Sequence, residues 1–106
     1  MLHNIIQKML CVKATHINEN TFNNLYENVL NTFSVVKADP GLLIHTGIGY
    51  SDDNFLYNMK NSPDDLNELI HYARSNACEW VLLDFEYAEL LDLPTYIWPS
   101  LSDTEI

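Results

Sequence analysis

Carboxylates are the residues of this chain with the most chemistry to offer. Asp64, Asp65 and Glu68 fall within five positions, and Asp84, Glu86, Glu89 and Asp92 punctuate a nine-residue stretch that is otherwise apolar or aromatic. None of these acids forms the D-x-D-x-D-G calcium loop, and Ser51-Asp52-Asp53-Asn54 reads more simply as a solvated turn than as a cation site. Without a metal, what such groups do is set up a negative field. That field serves solubility in the plain reading and attraction of a basic partner in the sharper one.

The other reactive side chains give less. His3, His16, His45 and His71 occur in neither HExxH nor a Cys-x-x-Cys frame, so no zinc site is expected. His16 follows a strand and precedes a helix, where a surface or capping role is the first expectation and a ligand or general base the second. His45 lies in an apolar strand and is expected to be partly buried and hydrogen-bonded, and His71 falls on the polar side of a helix. A Cys-His-Asp nucleophile drawn from Cys11 or Cys78, His16 or His45, and Asp84 would need an imidazole within about 3 Å of the thiol, and no local signature brings them together. The two cysteines are expected to be buried, reduced thiols. No GxxxxGK[ST] loop is present, and Gly47-Ile48-Gly49 lacks the third glycine of a dinucleotide fingerprint. No cofactor is expected.

The acid is unevenly spread. From Asp39 onward there are thirteen Asp and Glu against Lys60 and Arg74, a balance of −11, whereas residues 1–38 carry Lys8, Lys13 and Lys37 against Glu19 and Glu27, or +1. Such a field disfavours direct contact with nucleic acid or an anionic membrane, because both recruit bases. The first residues lack the basic-then-apolar pattern of a signal peptide, and no run approaches the ~20 apolar residues of a membrane span. A cytoplasmic location is therefore expected. The 47% hydrophobic content over 106 residues is that of a folded single domain.

Elements that would position these residues follow from periodicity. A strand is expected over about Lys8 to Thr15, with residues 1–8 open between helix and strand. A first helix, capped by Asn18 or Asn20, aligns Phe22, Leu25, Val29, Leu30 and Phe33 on one face. Strands at Val35–Lys37 and Leu42–Thr46 flank Asp39-Pro40-Gly41, which suits a type II turn. Gly47 to Asn54 reads as a second turn region and Phe55–Met59 as a short strand. A second helix starts with Ser62 as cap and Pro63 at the first helical position, and buries Leu66, Leu69, Ile70, Ala73 and Ala77. Trp80–Phe85 is a compact strand, and Leu93–Trp98 a last one. The expected fold is α+β: a single domain over 1–98 with a tail over 99–106, two helices packed on a mostly antiparallel sheet of four to five strands in the order β-α-β-β-α-β-β. Trp80 and Trp98 are expected in the core, with Trp98 also a candidate interface residue beside Tyr87 and Tyr96.

Three segments carry a resemblance: Ala14-Thr15-His16-Ile17, Cys78-Glu79-Trp80-Val81-Leu82-Leu83-Asp84 and Leu93-Pro94-Thr95-Tyr96-Ile97-Trp98. Together they resemble a family of small uncharacterised domains from bacterial plasmids and phages, over roughly Met9 to Trp98. The chain departs from that family at Gly47 to Asn54, where members have a glycine-and-aromatic hairpin. The resemblance implies a phage or mobile-element protein acting inside a bacterial host. With the charge, it gives the first functional expectation. A non-enzymatic acidic protein would bind a basic host protein or nucleoprotein complex in place of nucleic acid, in the manner of anti-CRISPR or anti-restriction inhibitors, through Asp64, Asp65, Glu68, Asp84, Glu86, Glu89, Asp92 and Trp98. Two alternatives stand beside it: a small enzyme or ligand-binding domain with a site near His16 and Asp84, and a homo-oligomeric accessory protein. The first expectation is compatible with a monomer or a homodimer.

Overall fold

The computed structural model describes residues 6–48 and 52–102. A four-stranded sheet has the order β1-β4-β3-β2, with β1 (Met9–Lys13), β2 (Val35–Ala38), β3 (Gly41–His45) and β4 (Trp80–Asp84). The pairs β3–β4 and β2–β3 are antiparallel, while β1 runs parallel to β4. Alternation sorts the side chains into two faces. On one face the register aligns Leu10, Val81, Ile44 and Val35 in one row and Val12, Leu83, Leu42 and Lys37 in the next. Apart from its β2 edge, where Lys37 is exposed, this face is buried under α1 (Glu19–Tyr26) and α3 (Asp64–Ser75), whose Phe22, Leu25, Leu66, Leu69, Ile70 and Ala73 contribute to the core.

The α+β class, the single domain and the predominance of antiparallel pairing are as the sequence predicts, but the element list differs. Phe55–Met59 is not a strand but part of α2 (Asp52–Lys60). Its acids at the start, its base at the end and Phe55 and Met59 one turn apart all suit a helix. Leu93–Trp98 forms no strand, and Pro99–Ser102, within the expected tail, forms a short α4. The first helix stops at Tyr26 because Asn28 takes a left-handed conformation (φ 59°). The N–H groups of Asn28 and Val29 close back on the carbonyls of Leu25 and Asn24, a Schellman motif, so Val29 falls outside the helix and is exposed. α3 ends the same way. Ala77, expected in its buried stripe, is instead the left-handed residue (φ 58°), with its N–H bonded to Arg74 and that of Cys78 to Ala73.

Caps also differ in detail. Pro63 rather than Ser62 is the N-cap of α3, and Asn18, at the N-cap of α1, makes no side-chain capping bond. In α1 the three Asn residues cost about 2 kcal/mol of helix propensity relative to Ala. Burial of Phe22 and Leu25, at about 1.5–3 kcal/mol each, outweighs that. The Asp39–Pro40 bond is cis, and Gly41 is not in the positive-φ conformation a type II turn would give it. Gly41 is required for another reason: a Cβ there would overlap the backbone carbonyl of Leu83 on the neighbouring strand. Of the expected buried thiols, Cys78 is buried but Cys11 is exposed, and both are free. The undecided residues 1–5, part of the Gly47–Asn54 turn (49–51) and the tail beyond 102 lie outside the described residues.

A candidate acidic binding surface

The surface begins where two helices start side by side. Asp64 and Asp65 occupy the first turn of α3, where the free N–H groups favour negative charge. Asp65 turns inward and is 5% exposed. Its Oδ2 accepts from the backbone N–H of Asn18 (2.7 Å) and from Asn18 Nδ2 (3.3 Å), tying the start of α3 to the start of α1. Asp64 and Glu68 remain exposed on the outer side. Glu19, Asn20, Pro63, Asp64, Asp65 and Tyr96 line an open cleft of about 590 Å³ between the two helix ends. The Tyr96 hydroxyl is held above its ordinary pKa of 10.0, first by burial and then by the charges of Asp65, Glu68 and Asp64, which sets it among these carboxylates.

The chain after β4 supplies the rest. Residues 85–98 contain no helix or strand, yet they are fastened across the join between β1 and α1. Lys13 N–H donates to Ala88 O (3.2 Å), Thr15 Oγ1 to Glu89 Oε2 (2.6 Å), Tyr96 N–H to Thr15 O (2.8 Å) and Trp98 Nε1 to Ile17 O (2.8 Å). His16 is the central clasp. Its Nε2 accepts from Leu90 N–H at 2.8 Å, which fixes the proton on Nδ1, and Nδ1 donates to Pro94 O at 2.9 Å. His16 is 2% exposed, so the expected surface role gives way to a buried structural one.

This fastening brings together acids that are far apart in sequence. Asp92 Oδ2 lies 3.5 Å from the hydroxyl of Tyr72, one turn along α3 from Glu68. Glu89 is held at Thr15, and Tyr96 links the same segment to Asp64, Asp65 and Glu68. Asp84 and Glu86 take a different position. Asp84 ends β4 and accepts from the N–H of Phe85 (2.6 Å), and with Glu86 it flanks Tyr87. The Tyr87 hydroxyl is raised above its ordinary value first by the charge of, and a hydrogen bond to, Cys11, then by burial and by Asp84 and Glu86.

Among the described residues, no Lys or Arg nitrogen lies within 4.0 Å of any of these carboxylates. Several of the few bases are engaged elsewhere: Lys37 over the Tyr26 ring, Arg74 over Phe55 and Lys8 on the Asn76 carbonyl. Two of the sequence-derived site residues are largely buried rather than exposed. Trp98 is 5% exposed, packed against Phe22 and Phe85 at ring-centroid distances of 5.2 and 5.5 Å, and Asp65 is committed to Asn18. Conversely, Glu19 and Tyr72 belong to the surface although the sequence singles out neither, and Tyr96, an interface candidate by sequence, joins them. Among the described residues no group of three His, Cys, Asp or Glu is arranged to hold a metal, and no helix is long and apolar enough to cross a membrane.

Fold and surface together define a small two-layer α+β domain with an uncompensated acidic end. The chain belongs to a family of unknown function, DUF5983, whose C-terminal domain model matches residues 9–98. No curated protein and no solved structure matches it.

Proposed function

We propose that this domain is a binding protein whose acidic end docks on a basic, nucleic-acid-binding protein and blocks the groove that would otherwise hold DNA or RNA. The observation that carries the reading is the set of exposed carboxylates Asp64, Glu68, Glu89 and Asp92, joined through Tyr72 and Tyr96 and free of Lys or Arg partners among the described residues. A groove built for phosphates derives most of its affinity from charge that is indifferent to sequence, so a rigid carboxylate array can occupy it. The more specific form of the proposal is a phage or mobile-element inhibitor of a host defence complex, acting in the bacterial cytoplasm. It rests on the plasmid and phage domains that the Ala14–Ile17, Cys78–Asp84 and Leu93–Trp98 segments resemble.

A catalytic or ligand site near His16 and Asp84 is less well supported. Both ring nitrogens of His16 are engaged by backbone groups of the 85–98 segment, which leaves neither for a substrate.

The test uses three exposed acids of that set and leaves Glu89 in place as the anchor to Thr15. The variant Asp64→Lys/Glu68→Lys/Asp92→Lys should fold and should lose capture of basic proteins from a bacterial lysate. Proteins captured by the unmodified domain should be displaced by double-stranded DNA. Their binding should weaken at least about tenfold from roughly 50 to roughly 200 mM salt. Capture that survives the reversal, or that neither DNA nor salt disturbs, excludes this function.

A further inference from the structure

A second hollow opens on the other side of Glu19. Glu19, Phe22, Asn23 and Tyr26 form a stripe along α1 at i, i+3, i+4 and i+7, and they face Asp39-Pro40, Phe85 and Trp98 across a groove of about 660 Å³. The floor is aromatic: Phe22, Phe85 and Trp98 pack at centroid distances of 5.2–5.7 Å with steeply inclined planes. The stripe runs about 10 Å along the helix axis from Glu19 to Tyr26, and a carboxylate stands at each end of it. At one end Glu19 accepts from Ser100, and at the other Asp39 Oδ1 accepts from the Tyr26 hydroxyl at 2.5 Å while its Oδ2 accepts no bond among the described residues. Glu19 also lines the cleft between the helix starts, so the groove is continuous with the acidic surface.

We infer that this groove seats an arginine side chain of the basic partner, an assignment that rests on the proposed function. Arginine combines the three features the groove asks for: an apolar stem for the aromatic floor, a flat cation that stacks on a ring, and a fork that pairs with a carboxylate in two places. Lysine offers the stem and the charge but neither the plane nor the fork. The molecule already uses the same attraction twice, with the Arg74 guanidinium 3.7 Å from the centre of Phe55 and Lys37 Nζ 4.4 Å from that of Tyr26, at one end of this groove.

The probes are acetylated, amidated tri-arginine and tri-lysine peptides, titrated into the domain by calorimetry. The arginine peptide should bind tighter by about two- to fivefold. That ratio should fall to about one in Phe85→Leu, which keeps most of the volume and loses the ring, and in Asp39→Asn. A ratio of one in the unmodified domain, or a ratio that survives both variants, overturns the groove. The double variant Glu68→Lys/Asp92→Lys separates the two claims. It should weaken both peptides alike and leave the ratio standing. A ratio of one together with weakening by the double variant removes only the groove, whereas intact affinity in the double variant removes the basic-partner reading and leaves the groove on its ratio. Absence of binding by either peptide at millimolar concentration overturns both.

Discussion

The sheet and the segment that follows it are both fixed in place, but by different chemistry. β1, β3 and β4 are held by backbone ladders and by Val12, Leu42, Ile44, Val81 and Leu83, which are wholly buried. Residues 85–98 have no ladder of their own. They are held by one imidazole, one hydroxyl, one indole and two backbone bonds, each reaching from or to residues 13–17. The first kind of order belongs to a repeating pattern and tolerates the loss of a member. The second is a short list of particular groups, and the acids of the binding surface, Glu89 and Asp92, ride on it.

If that contrast is right, the largest effect comes from Trp98. It closes the segment onto α1 through its ring contacts with Phe22 and Phe85 and through the Ile17 carbonyl. Trp98→Ala should cost about 3–5 kcal/mol in urea denaturation. A cost below about 1 kcal/mol would mean the segment is anchored by something other than these contacts.

His16 is next. His16→Phe keeps a ring of similar shape but leaves Leu90 N–H and Pro94 O without partners, at a cost of about 2–4 kcal/mol. Amide exchange should distinguish it from a general core defect. Leu90 and Tyr96 should lose protection well before Val81 and Leu83, because the ladder does not depend on the clasp. Nitrogen-15 shifts of the unmodified protein should report the form of His16 with its proton on Nδ1. Uniform loss of protection across sheet and segment would erase the contrast.

The same difference explains what the sequence discloses. β4 and the start of α3 are legible because a continuous apolar run and a Pro-Asp-Asp start are local signals. Leu93–Trp98 has the composition of a strand, but Pro94 withholds a donor and its carbonyl is taken by His16, seventy-eight residues away in sequence. No periodicity encodes a bond of that kind. Asn28 and the acids opening α2 are local signals that a longer helix face and a strand reading override. At the surface, the sequence groups Asp64, Asp65 and Glu68 without telling which are exposed, and the structure exposes Asp64 and Glu68. Asp65 is buried, because it is bonded to Asn18, and neither residue type marks the pairing.

A backbone effect is expected at the end of α3. Ala77 closes α3 with a left-handed conformation that glycine adopts without strain. Ala77→Gly should raise stability by about 1 kcal/mol, read as a higher urea midpoint with an unchanged slope. A loss of stability would show that Ala77 makes packing contacts its exposure does not suggest.

The smallest effect is a titration, and it reads the docking of the segment directly. Tyr96 sits on the segment, while the charges beside it sit on α3. Folding raises its pKa above 10.0, first by burial and then through Asp65, Glu68 and Asp64, so the folded state holds the phenolic proton more tightly than the unfolded chain. The stability this contributes is fully present below pH 10.0 and is lost as pH rises through the folded value. In Asp64→Asn/Glu68→Gln the midpoint, followed by carbon-13 NMR of the ring, should move down without reaching the free value, because burial and Asp65 remain. In His16→Phe it should return to the free value if the segment lifts away as a unit. A Tyr96 midpoint that stays high in His16→Phe would mean the segment remains on α3 without its clasp. The acidic surface would then be held by Trp98, Thr15 and the Lys13–Ala88 backbone bond.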